Sequence, residues 1–141
     1  MYAQRFEDLE CWKDARKLTK SVYRLARKPL FRHDKRLVDQ ITGASISCMN
    51  NIAEGFDSGG RIESLRFYKY TRRSTSEVQS CLYVALDQEY IQQTEFDHAY
   101  AQAQTTRRRT LAWALSLSRN SSSPGTRDVT RTPEHQNTRT P

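Results

Sequence analysis

Apolar residues recur at spacings of three and four along most of the chain, in four separate stretches. In the first, Phe6 to Arg27, residues Cys11, Trp12, Ala15, Leu18, Val22, Leu25 and Ala26 share one face of a helix. Lys28-Pro29 ends it, because a proline pushes the preceding residue out of the α region. A second helix is predicted from Asp34, its N-cap, to Glu54, with Leu37, Ile41, Ala44, Cys48 and Ile52 as its stripe. Gly43, Ala44, Ser45 and Ser47 make one side of it small enough for a neighbour to come close. Gly55 stands where a left-handed C-cap glycine belongs, and Asp57-Ser58-Gly59-Gly60 is the clearest turn signal.

The third helix is predicted over Arg61 to Glu89, with Phe67, Tyr68, Thr71, Thr75, Val78, Leu82, Ala85 and Leu86 on one face. After a break near Tyr90-Ile91-Gln92-Gln93, Thr94 reads as the cap of a fourth helix that starts at Glu95 and contains Phe96, Tyr100, Ala103 and later Leu111, Ala112, Trp113, Leu115 and Leu117. Thr105-Thr106-Arg107-Arg108-Arg109-Thr110 interrupts its apolar pattern, which leaves its course past residue 104 open. From Arg119 onward Val129 is the one aliphatic residue, too little to offset the entropy of ordering. The expected organisation is an all-α, antiparallel up-down four-helix bundle over residues 1–118, followed by a disordered, basic, polar tail over 119–141.

Composition narrows the chemistry. No run approaches the ~18 apolar residues of a membrane span, and the N-terminal stretch lacks the apolar core of a signal peptide. A cytoplasmic protein that does not engage membranes is expected. Cys11, Cys48 and Cys81 are widely spaced, and His33, His98 and His135 stand apart, so no metal ligand set forms and no cofactor is implied. Buried free thiols are the plainer reading. There is no Ser/His/Asp set, phosphate-binding glycine loop or HExxH. Ser58-Gly59-Gly60 follows no strand and lacks the lysine of a phosphate loop. The chain is therefore expected not to be an enzyme.

The formal net charge of +7 favours an anionic partner. Lys13, Arg16, Lys17, Lys20, Arg24, Arg27 and Lys28 crowd the first helix opposite its apolar stripe, with Asp14 the single acid among them. On the third helix Arg66, Lys69 and Arg73 form a second row, with Tyr70 beside it where an aromatic could stack on an unpaired base. A solvated helix face usually mixes signs. Like charges three and four apart repel, which makes more sense if an anion relieves them. A basic surface kept only for solubility is the competing explanation. Asn51 and Glu54 are the best candidates for special polar roles, Glu54 at a helix end with Arg61 or Arg66 as partner.

Four blocks resemble one family. They are Phe6-Glu7-Asp8-Leu9-Glu10-Cys11-Trp12 with Ala15, then Asn51-Ile52-Ala53-Glu54-Gly55-Phe56, then Glu63-Ser64-Leu65-Arg66-Phe67-Tyr68, and finally Ser76-Glu77-Val78 with Ala85-Leu86-Asp87-Gln88-Glu89-Tyr90-Ile91. In this order, over roughly residues 5–104, they are similar to bacterial four-helix bundle proteins encoded within intervening sequences of 23S ribosomal RNA genes. The accessory variability protein of diversity-generating retroelements is a related bundle. The chain departs from the family pattern at Cys48, in the Tyr70-Thr71-Arg72-Arg73-Ser74-Thr75 middle of helix three, and after Gln104.

The resemblance implies a bundle that assembles as a homo-oligomer, up to a homopentameric ring, and binds nucleic acid, RNA ahead of DNA. The alternative is an assembly module whose basic surface meets an acidic protein such as a reverse transcriptase. A third reading is a vestigial product with little selected function.

Overall fold

The computed structural model describes residues 2–118, so the tail expected over 119–141 lies outside the described residues. A 3-10 turn at Phe6–Asp8 precedes α1 (Glu10–Ala26), and a second at Phe31–His33 precedes α2 (Lys35–Ser58). Then come α3 (Arg61–Asp87) and α4 (Gln93–Ser116), with no strand among the described residues. Each helix packs on the one before it, and α4 returns to α1. Asp14 at the start of α1 meets Arg109 near the end of α4, and Lys28 just past α1 meets Glu95 at the start of α4. Those two pairs show that α1 and α4 run antiparallel; short connectors impose the same on the other neighbours. The result is the expected up-down four-helix bundle.

Several boundaries differ from the sequence expectation. The first helix starts later, because the Asp8 carboxylate accepts from the backbone N–H groups of Gln4 (3.0 Å) and Arg5 (3.2 Å) and tightens Phe6–Asp8 into a separate turn. Gly55 does not cap α2. It is buried inside the helix, which runs one turn further to Ser58 while Phe56 packs against Trp113 with ring centroids 6.4 Å apart. Gly59 (φ 79°) and Gly60 (φ 88°) supply the left-handed turn. Gly55 is small for another reason: a Cβ there would lie 3.1 Å from Phe67 Cβ, so α2 and α3 approach closely at this point.

Helix α3 ends in a Schellman pattern, Tyr90 N–H to Ala85 O and Glu89 N–H to Leu86 O, both 2.9 Å. Glu89 occupies the left-handed position (φ 63°) where glycine is usual. The start of α4 is set by Gln92, not Thr94, because the Glu95 carboxylate reaches back to the Gln92 N–H at 2.8 Å. Past residue 104 α4 continues unbroken. Thr106 and Thr110 are core residues there, and each hydroxyl donates to the carbonyl four residues back, at 2.9 and 2.6 Å.

The core is uneven along its length. At the end holding Pro29 it is apolar, with Val22, Leu25, Phe31, Ile41, Leu82, Ala85 and Phe96 buried. Each fully buried large side chain of this kind contributes about 1.5–3 kcal/mol. Toward the α2–α3 turn, α3 offers only Ser64, Thr71, Ser74 and Thr75, against Thr106 and Thr110 of α4. Cys48 is wholly buried among them and fills its place as a small apolar residue.

Candidate nucleic-acid interface

Amphipathic patterning alone turns the basic side of α1 outward. With Ala15, Leu18 and Val22 fully buried, Lys13, Arg16, Lys17, Lys20, Arg24 and Arg27 are left exposed. Two of the expected seven are engaged. Lys28 is partly buried and paired with Glu95 at 2.9 Å, and Lys13 reaches Glu10 at 3.4 Å. Asp14, the one acid in the row, is drawn aside: its carboxylate is 11% exposed and held by Arg109 at 3.3 Å. Arg16, Lys17, Lys20, Arg24 and Arg27 therefore make no ion pair among the described residues. They span roughly 16 Å of helix at about 1.5 Å per residue. The Arg16 guanidinium also lies 5.9 Å from the centroid of the Trp12 ring.

On α3 the arrangement is tighter. Arg66 is held by Glu63 at 2.7 Å, lies over Phe67 at 4.8 Å and donates to the Tyr70 hydroxyl at 3.4 Å. Lys69 and Arg73 are exposed, Arg73 lying 5.7 Å from the Tyr70 ring. Tyr70 itself is half-buried and packs edge-on against Phe67. Its ring is thus less open than the sequence suggested. The two basic rows also do not merge. Both α1 and α3 contact α2 and α4, so they lie on a diagonal and their outer faces point in opposite directions.

Of the polar motif residues, Asn51 is engaged with its own helix. Asn51 Nδ2 donates to Ser47 O (2.9 Å) and Ser47 Oγ (3.0 Å), and Ser74 Oγ donates to the same hydroxyl at 2.9 Å, making a polar seam between α2 and α3. Glu54 is exposed one turn before the end of α2, and Arg66 is taken by Glu63. Of the arginine triplet on α4, Arg107 donates to Ser76 Oγ of α3 (3.3 Å) and Arg109 holds Asp14 of α1. Arg108 is exposed and makes no ion pair among the described residues, a division that the run of three arginines does not reveal.

Burial pushes the Cys11 thiol up to about 11 and the Cys48 thiol up to about 12, so both stay protonated at neutral pH. Among the described residues no three His, Cys, Asp or Glu side chains cluster to hold a metal ion. An open cleft between the start of α1 and the end of α4 is lined by Leu9, Glu10, Cys11, Arg109, Ala112 and Trp113. No described helix is long and apolar enough to cross a membrane.

These features define a class: four-helix bundles with a row of exposed cations along an outer helix, free of ion pairs among the described residues. Residues 7–112 match the model of the family described as 23S rRNA-intervening sequence protein, and the chain belongs to that family. The match runs past Gln104, in keeping with the unbroken α4. No curated protein matches the chain.

Proposed function

We propose that the chain is a non-enzymatic nucleic-acid-binding bundle that takes RNA as its ligand and works as a homo-oligomer. The observation that carries this is the row Arg16, Lys17, Lys20, Arg24 and Arg27, five exposed cations with no acidic partner among the described residues. Phosphates neutralise such a row and release condensed counterions. The family's tie to ribosomal RNA intervening sequences is the reason for putting RNA before DNA. Near the end of α3, Tyr83 and Val84, exposed at 51% and 43%, give a second copy apolar surface to cover. Buried free thiols suit a reducing compartment, hence the cytoplasm.

Fluorescence anisotropy with single-stranded RNA tests the reading. The log–log salt slope should approach about −3.5, from about −0.7 per phosphate neutralised by the five cations. Replacing Lys17, Lys20 and Arg24 with glutamate should cut affinity at least tenfold, by the same electrostatics, with helicity unchanged by circular dichroism. Absence of binding at low salt, or an unchanged slope in the variant, would overturn the reading. The alternative would then be an assembly module with an acidic protein partner, which the same exposed apolar residues of α3 also favour.

A further inference from the structure

We propose that a single chain holds two nucleic-acid segments at once, one along α1 and one along the first half of α3. This rests on the nucleic-acid reading of α1 and adds a second, separate surface. Between residues 61 and 73, α3 carries Arg61, Arg66, Lys69, Arg72 and Arg73 against one acid, Glu63. Glu63 is committed to Arg66. Lys69, Arg72 and Arg73 are exposed and form no ion pair among the described residues. Two of them are held in position by their own helix: Arg72 lies 5.9 Å from the Tyr68 ring and Arg73 5.7 Å from the Tyr70 ring. A guanidinium steadied on a ring loses less freedom when it grips a phosphate.

The diagonal packing makes these two sites rather than one. Neighbouring helices pack 8–10 Å apart and each is about 10–12 Å across, so the outer faces of α1 and α3 are about 25 Å apart. That is about three Debye lengths at physiological ionic strength. A backbone on one face therefore neither reaches the other face nor repels a second backbone there. The bundle acts as a spacer between two polyanions and leaves both sites open.

The test uses two polyuridylate oligomers, one immobilised on beads and one fluorescent in solution, with the full chain limiting and diluted until light scattering reports single subunits, so that capture reads two sites on one chain. The wild type should carry the fluorescent RNA onto the beads. Lys69→Glu/Arg73→Glu removes the α3 site, and Lys17→Glu/Lys20→Glu/Arg24→Glu removes the α1 site. Each variant should still bind one RNA by anisotropy but lose capture to background, because a chain left with one site cannot hold bead RNA and solution RNA together. The proposal is overturned if the α3 variant captures as well as the wild type, because the second RNA would then be held somewhere other than α3. It is also overturned if the α1 variant binds no RNA, or if the wild type binds without capturing. Failure of the wild type to bind RNA by anisotropy would sink the α1 reading itself and is seen separately from failure to capture.

Discussion

Tyr90 donates its phenolic hydrogen bond to Asp34 Oδ2 at 2.9 Å, while Asp34 Oδ1 accepts from the Leu37 backbone N–H at 3.1 Å. One carboxylate thus caps α2 and fastens the end of α3 to it, with the Tyr90 ring stacked on Phe31 at 5.4 Å. Asp34→Ala should cost about 1–2 kcal/mol, the loss of an N-cap, and Tyr90→Phe about 1 kcal/mol for the hydrogen bond. Because the two share a bond, the double variant should lose less than the sum in urea titrations. Simple additivity would show that the contact contributes nothing.

The carboxylate of Glu95 lies below the usual glutamate range, chiefly because it accepts from the Gln92 N–H and then because Lys28 is beside it. A depressed folded-state pKa gives stability that is complete above the unfolded value, about 4.3, and is lost as pH falls through the folded value. The urea midpoint of the wild type should therefore fall on acidification below about pH 4.3. Glu95→Gln should be less stable near neutrality and show a smaller fall. Parallel curves for the two proteins would exclude Glu95 as a source of the acid sensitivity.

Two glycines of α2 should respond in opposite directions to the same change. Nothing lies within 4 Å of a Cβ added at Gly43, so Gly43→Ala should stabilise by about 0.4–1 kcal/mol through helix propensity and unfolded-chain entropy. At Gly55 the new methyl would press on Phe67 Cβ at 3.1 Å, an atom fixed to the α3 backbone. Overpacking costs about 1–3 kcal/mol, so Gly55→Ala should lower the melting temperature. A rise at both sites would mean that α3 can move away freely.

The four helices were legible because stripes such as Leu37, Ile41, Cys48 and Ile52 carry the helical period in their side-chain chemistry. The continuation of α4 was not. Its stripe runs through Ala103, Thr106, Thr110 and Ala114, and a buried threonine bonded to its own helix looks polar in sequence. The Gly55 assignment failed because a helix-ending glycine and a close-packing glycine are identical until a partner such as Phe67 is in place. The basic residues of α1 were correctly read as outward. That they stand apart from Lys69 and Arg73 depends on which helices are neighbours, which helical periodicity does not encode.

Thr71 is fully buried in α3, and its hydroxyl has no partner among the described residues. Leaving such a group unpaired costs about 1–3 kcal/mol. Thr71→Val keeps the shape and removes the orphan, so it should raise the melting temperature. Thr110→Val should not, because the Thr110 hydroxyl is bonded to Thr106 O. A drop for Thr71→Val would mean that the hydroxyl is satisfied in solution.

Thr71 belongs to the hydroxyl-lined half of the core, and this gives the bundle a direction. Hydroxyl layers contribute less on burial than the leucine and phenylalanine layers beyond Val78, so opening is cheapest near the α2–α3 turn and becomes harder toward Phe31. Arg66, Lys69 and Arg73 sit on the yielding half, while Arg24 and Arg27 sit on the firm half. Backbone amide exchange should therefore be faster near the α2–α3 turn than around Phe31.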